Sequence, residues 1–168
     1  ITLGVKASIG IVTADASADP GSNPIDWLRK ADIAMYASKN RTKNGYLVFH
    51  ADLESSLSER KRMESELSIM IGAESSEIWM QPILKQSDGS LFALEALSRW
   101  FHPSLGEIAP PTFIRMAEDT KLIDRFDRSV IRRCCALISE LRLRHPELYL
   151  CINVSALTLM EPDFSAFI

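Results

Sequence analysis

A carboxylate and a guanidinium, Glu95 and Arg99, stand four residues apart in the stretch WMQPILKQSDGSLFALEALSRWFH that runs from residue 79 to residue 102. The stretch reads as two short apolar strands joined by a hairpin turn at Asp88-Gly89, a dipeptide that marks turns between alternating apolar runs. Strand side chains alternate between faces, so the second strand places Glu95, Leu97 and Arg99 on one side. Such a face can hold a metal ion on the carboxylate and a phosphate on the guanidinium beside it.

Plainer roles fit the same residues. A lone carboxylate near a strand end is more often solvated or salt-bridged, and Arg99 could be its partner. Asn153 could bond backbone at the end of a later strand, and Gln81, beside Pro82, could sit on an edge strand with no role. Trp79 and Trp100 read as core residues before they read as stacking platforms, and His102, preceding a proline, reads as structural.

The elements that must position these residues follow from periodicity and turn chemistry. Residues 3–12 alternate as a strand, with Leu3, Val5, Ala7, Ile9 and Ile11 of one parity, and ADASADPGSN after them is a loop. A helix is expected from Asn23 as cap, with Pro24 at its first position and Asp26 near its positive end. Ile25, Leu28, Ala31 and Met35 follow helical spacing in it. A basic turn, NRTKNG, leads to a short strand at 46–49. Residues 51–73 form a connecting helix, striped by Leu53, Leu57, Met63, Leu67, Met70 and Ile71. After the hairpin, HPSLGEIAPP is expected to be loop, since its prolines and glycine oppose regular structure. Helices are expected at 112–119, with Phe113, Ile114 and Ala117 inward, and at 124–144, ended by Pro146. A buried parallel strand at 148–154 carries Asn153 near its carboxyl end, where α/β folds place their sites. The hairpin makes one strand of an otherwise parallel barrel run backwards.

Composition is that of a globular protein: 46% apolar, 24% charged, net charge −3. The clustered basic stripe of a nucleic-acid surface is missing, which argues against a DNA or RNA polymer as partner. No apolar run reaches the ~18 residues of a membrane helix, and the opening ITLGVKASIGIV reads as a strand rather than a leader. Three cysteines, two adjacent, make neither a disulfide framework nor a zinc spacing. A reducing, cytoplasmic setting follows.

The motifs closely resemble those of the EAL domain family, the cyclic-di-GMP phosphodiesterases of bacteria. Gln81-Pro82-Ile83 resembles the family's opening, and Glu95-Ala96-Leu97 with Arg99-Trp100 its naming motif. The likeness continues through His102-Pro103, Gly106, Ile108, Pro110, Phe113-Ile114, Ala117-Glu118 and Leu122-Ile123, and resumes at Asn153-Val154-Ser155. Met80 stands where the family usually has Tyr, and Lys121 where it has Gly. Residues 1–50 resemble the C-terminal part of a GGDEF domain, through Ser8-Ile9-Gly10-Ile11, Ala31-Asp32-Ile33-Ala34-Met35-Tyr36 and Lys39.

The resemblance implies an α/β fold in three parts: 1–50 as the tail of a GGDEF domain, 51–73 as a linking helix, and 74–168 as the N-terminal part of an EAL domain, a TIM-like barrel with one antiparallel strand. Both resemblances are truncated, so the chain is expected to be an internal piece of a larger signalling protein, with further ligands (a Glu, an Asp-Asp pair, a Lys) downstream. It implies hydrolysis of cyclic-di-GMP to linear pGpG at a two-metal site of Mg²⁺ or Mn²⁺. Glu95 and Asn153 would be metal ligands, Glu95 the catalytic one. Gln81, Leu97 and Arg99 would contact the dinucleotide, Leu97 against a guanine and Arg99 on a phosphate. The alternative is an inactive module that binds cyclic-di-GMP or a partner protein and relays a signal. Lys39 and Lys43 match nucleotide contacts of the cyclase, but Thr42-Lys43 replaces the usual Gly-Arg, so both read as vestigial. A homodimer is an open assembly, and any membrane tether would come from segments outside these residues.

Overall fold

The structure, a computed structural model, describes residues 6–13, 23–41 and 44–168. The chain divides into two compact units, Ile1–Met63 and Glu64–Ile168. Leu3, Val5 and Lys43 lie outside the described residues, as does nearly all of the loop expected before Asn23.

In the first unit, strands β1 (Ser8–Ile11) and β2 (Gly45–Val48) pair in parallel, with Ile9 opposite Tyr46. Helix α1 (Pro24–Arg41) connects them and begins as its cap requires. The Asn23 side chain accepts the Ile25 N–H at 3.0 Å, Pro24 occupies the first position and Asp26 the first turn. The helix lies on β1 almost backbone to backbone. A Cβ added at Gly10 would sit 1.9 Å from the Ala31 carbonyl oxygen and 2.4 Å from the Met35 nitrogen. Only small side chains fit that seam, and Ala34 and Ser38 are the buried residues of α1. The stripe of larger residues begun by Ile25 and Leu28 does not make the contact: they are 71% and 72% exposed. Helix α2 (Ala51–Gly72) starts in this unit, burying Leu53.

In the second unit α2 continues from Glu64 and buries Leu67, Met70 and Ile71, three of the residues of its expected stripe. Strands β3 (Glu77–Leu84) and β4 (Leu91–His102) form the antiparallel hairpin. Its turn closes by bonds from Gly89 N–H to the Lys85 carbonyl and from Lys85 N–H to the Ser90 carbonyl. The Asp88 carboxylate accepts both the N–H and the hydroxyl of Ser90, and Gly89 supplies a left-handed φ of 70°. Strand β6 (Tyr149–Ile152) runs parallel to β4, opposite Ala93–Ala96, residues that β3 also pairs. The sheet therefore contains the expected reversed strand.

The segment 102–111 is more regular than expected. Gly106–Ile108 forms a second antiparallel partner of β4, β5, and helix α3 (Pro110–Asp119) starts directly on the two prolines. Proline opposes the middle of a helix but suits its first turn. The β4–β5 turn is built around His102, whose Nδ1 accepts the backbone N–H groups of Ser104 and Leu105 at 3.1 Å. That bond pattern places the imidazole proton on Nε2, which donates to Glu66 Oε2 at 2.6 Å. Gly106 completes the turn at a φ of 73°.

Helices α3 and α4 (Ile123–Arg142) cover one face of the sheet. Trp100, Phe113 and Phe126 meet edge to face, with centroids 6.1 and 5.7 Å apart, and Ile123, Val130, Ile131 and Cys134 fill in around them. Strand β6, expected to be buried, is covered on one side only: Leu150 and Ile152 are half-buried while Tyr149 and Cys151 are exposed. Its apolar composition serves the helix-facing side. Short helices α5 (Ala156–Leu159) and α6 (Phe164–Phe167) follow.

Lys121, which replaces the family's usual Gly, adopts a left-handed φ of 59° at the end of α3. Leu122 N–H returns to the Ala117 carbonyl and Lys121 N–H to the Glu118 carbonyl, the pattern that closes a helix on a left-handed residue. A side chain there is strained. Lys121→Gly is expected to raise stability by about 1 kcal/mol in urea unfolding; a loss of stability would show that the lysine side chain makes a compensating contact.

Candidate functional site

Strand β4 carries Glu95, Leu97 and Arg99 with one parity, and β3 brings Gln81, Trp79 and Glu77 opposite them in that order. Side chains of paired residues project from the same face of a sheet, so all six share one face, opposite in parity to Trp100. Asn153 follows β6 directly, and its Nδ2 donates to Glu95 Oε1 at 2.8 Å. Two of the residues singled out in the sequence, 58 positions apart, are thus in direct contact. Glu95 and Leu97 are half-buried, and Gln81 and Asn153 are exposed.

Arg99 is held from two sides. Its Nη1 lies 3.3 Å from Glu107 Oε1 on β5, and its guanidinium sits over the Trp79 ring, 5.4 Å from the centroid. Its Nε is buried and makes no hydrogen bond among the described residues. The terminal nitrogens of a guanidinium held in this way suit an anionic oxygen. Trp79, expected in the core, is instead 50% exposed on the site face, its Nε1–H bonded to Glu77 at 2.9 Å. Trp100 is in the core as expected. Beside the strand ends lies a cavity of about 290 Å³, lined in part by Leu97, Arg99, Ile114, Glu118, Asp127, Asn153 and Ser155.

Three of those lining residues form a hydrogen-bonded cluster. Asp127 on α4 is buried, and its Oδ2 accepts the Ser155 N–H at 2.9 Å and the Thr158 hydroxyl at 2.6 Å. The Ser155 hydroxyl donates to Glu118 at 2.7 Å and caps α5 by accepting the Leu157 N–H. Burial pushes the Asp127 carboxyl above its ordinary value, the bonds from Thr158 and Ser155 oppose this, and the charges of Asp124 and Glu118 add to it.

Residues 64–168 match the EAL domain. The chain belongs to the EAL domain family. Curated relatives match nearly its whole length. The cyclic di-GMP phosphodiesterase NbdA of Pseudomonas aeruginosa is 33% identical over 92% of this chain and 20% of its own. Protein Rv1354c of Mycobacterium tuberculosis is 38% identical over 96% of this chain and 26% of its own. The P. aeruginosa protein MucR, a bifunctional diguanylate cyclase/cyclic di-GMP phosphodiesterase, is 29% identical over 91% of this chain and 22% of its own. The structure of the MucR phosphodiesterase in complex with c-di-GMP superposes with a TM-score of 0.59 at 26% identity, covering 63% of this chain and 43% of that one. The chain thus spans about a fifth to a quarter of the length of these curated relatives.

EAL phosphodiesterases depend on metal, and the oxygen donors of Glu95 and Asn153 fit a hard divalent cation. Neighbouring ligand oxygens on an octahedral Mg²⁺ lie about 3 Å apart, close to the 2.8 Å that separates Asn153 Nδ2 from Glu95 Oε1. Rotation of the Asn153 amide by half a turn presents its oxygen at that position. Among the described residues no three His, Cys, Asp or Glu cluster as a metal site. Lys39 is exposed on α1, and the described residues show no bond to it.

Sequence reading missed the parts played by Trp79, Asp127 and Thr158. A period-two count from Gln81 reaches Trp79 and could have placed it on the site face. Asp127 looks like one more charge of a helix whose apolar spacing takes no notice of it.

The raised value of Asp127 has a defined pH signature. A carboxyl raised on folding contributes most to stability below its unfolded value, ~3.8, and this contribution is lost as pH rises through the higher folded value. Asp127→Asn does not titrate, so its thermal midpoint is expected to gain on the wild type's as pH is raised from 4 toward neutrality. A constant difference would place the carboxyl at its unfolded value.

Proposed function

We propose that the protein is a cyclic-di-GMP phosphodiesterase that cleaves one phosphodiester to give linear pGpG. The observation that carries this is the contact between Glu95 and Asn153 beside Arg99, within a chain of the EAL family. The naming of NbdA and MucR as cyclic di-GMP phosphodiesterases supports it.

Glu95 and Asn153 would hold Mg²⁺ or Mn²⁺. When bound, such ions supply an activated water and neutralise charge on the phosphate. The chain's own residues do the rest. Arg99, set by Glu107 and the Trp79 ring, presents its terminal guanidinium nitrogens to a non-bridging phosphate oxygen, which orients the phosphate and offsets the negative charge that builds up on it. Leu97, between Glu95 and Arg99 on the same face, presents an apolar contact to a guanine, and Gln81, opposite Glu95, a polar one. The half-buried setting of Glu95 keeps the carboxylate aimed without closing it from solvent.

We further read residues 1–50 as the C-terminal part of a GGDEF domain, 51–73 as a linking helix and 74–168 as the N-terminal part of the EAL barrel. The likeness to MucR, which extends over most of the chain, and the division into two units support this. Lys39 and Lys43 would be remnants of a cyclase nucleotide site. The linkage suits a signalling protein, open to homodimers and to a membrane tether elsewhere; among the described residues no helix is long and apolar enough to cross a membrane.

The second reading is a receptor that binds cyclic-di-GMP through the same Gln81, Leu97 and Arg99 face without cleaving it. Hydrolysis by the full-length protein with Mg²⁺ or Mn²⁺ separates the two. Turnover is expected, and Glu95→Gln should lower it by at least about 100-fold. Arg99→Ala should weaken dinucleotide binding by roughly 10- to 100-fold, the equivalent of losing charge-assisted hydrogen bonds. Tight binding with no turnover in excess metal would establish the receptor instead.

A further inference from the structure

Asn153 reaches Glu95 because the chain turns sharply between β6 and α5, and the bonds that hold this turn converge on one carboxylate. Asp127 Oδ2 takes the Ser155 N–H, two residues past Asn153, and the Thr158 hydroxyl, from within α5. Thr158 is completely buried, and Asp127 nearly so. The bonds measure 2.9 and 2.6 Å. The clamp is itself fixed, because Phe126 and Val130, on either side of Asp127 along α4, are packed in the core.

We infer that Asp127 is a positioning residue that sets the reach of the Asn153 amide toward Glu95, and through it the affinity of that pair for a divalent metal; this rests on the phosphodiesterase reading. Asp127 itself bonds to the turn. A buried carboxylate is unfavourable unless its acceptors are used, and here one oxygen ties the start of the turn to the helix after it. Glu118 steadies the same turn from α3 through the Ser155 hydroxyl. Partners of this kind, one bond removed from a ligand, fix the ligand's orientation and shift metal affinity by about 10- to 100-fold when removed. An asparagine can accept both bonds on its amide oxygen, so geometry rather than charge is the property required.

The test is Mn²⁺ affinity of the full-length protein, measured by the paramagnetic signal of the free ion. Cyclic-di-GMP affinity in EDTA and the thermal midpoint are read alongside. Asp127→Ala should weaken Mn²⁺ binding by about 10-fold or more and Thr158→Val by a few-fold, while Asp127→Asn stays near wild type. Dinucleotide affinity without metal should change by less than about 2-fold in all three, because Gln81, Leu97 and Arg99 lie on the β3–β4 hairpin. If Asp127→Ala does not fold, Thr158→Val carries the comparison. Wild-type Mn²⁺ affinity in Asp127→Ala and Thr158→Val would overturn the assignment. So would equal losses of metal and metal-free dinucleotide binding, the mark of a general structural defect, or an Asp127→Asn variant as weak as the alanine. A wild type that binds Mn²⁺ but never hydrolyses the dinucleotide overturns the phosphodiesterase reading alone and leaves the Mn²⁺ comparison intact.

Discussion

The backbone of β4 is paired along both edges where Glu95 leaves it, with Gln81 of β3 opposite on one side and Cys151 of β6 on the other. The rest of the second unit depends on that double pairing. A strand held on both edges cannot slide by one residue without turning every side chain to the opposite face. Glu95, Leu97 and Arg99 are therefore locked on one face while Trp100 is locked into the aromatic core with Phe113 and Phe126. The candidate site face and the packed face are two sides of one register.

The two partners of β4 contribute differently. β3 is joined to it by a local turn, so Gln81 and Trp79 arrive by a short path through Asp88 and Gly89. β6 returns after two helices, and Asn153 reaches Glu95 across a separation of 58 residues. Long-range pairing of this kind must offset the entropy of closing a long loop before its contacts stabilise it. The polar cluster of Glu118, Asp127, Ser155 and Thr158 lies at that junction, where the chain leaves the sheet for α5.

Where local chemistry decides structure, the residues announced it. Asn23-Pro24 started α1, Asp88-Gly89 turned the hairpin, and the alternation from Glu95 to Arg99 put the site residues on one face. The likeness at Asn153-Val154-Ser155 pointed to Asn153, though only the folded chain shows it against Glu95. What escaped reading depends on partners distant in sequence. The strand at Gly106–Ile108 exists because His102 satisfies the turn's backbone from inside and β4 is long enough to pair with it. The exposed sides of β6 and of α1 carry apolar residues whose composition alone suggested burial. Asp127 sits at a position that helical periodicity treats as neutral, and its role lies in two bonds to residues about thirty positions away.

Gly10 makes one further point. Because α1 rests on β1 through main-chain atoms at Ala31 and Met35, the spacing between helix and strand is set by groups common to every amino acid. Side chains elsewhere on α1, such as Ile25 and Leu28, can drift in size and polarity without moving that seam. The outer surface of the helix is thereby free to specialise while its seat on the strand stays fixed.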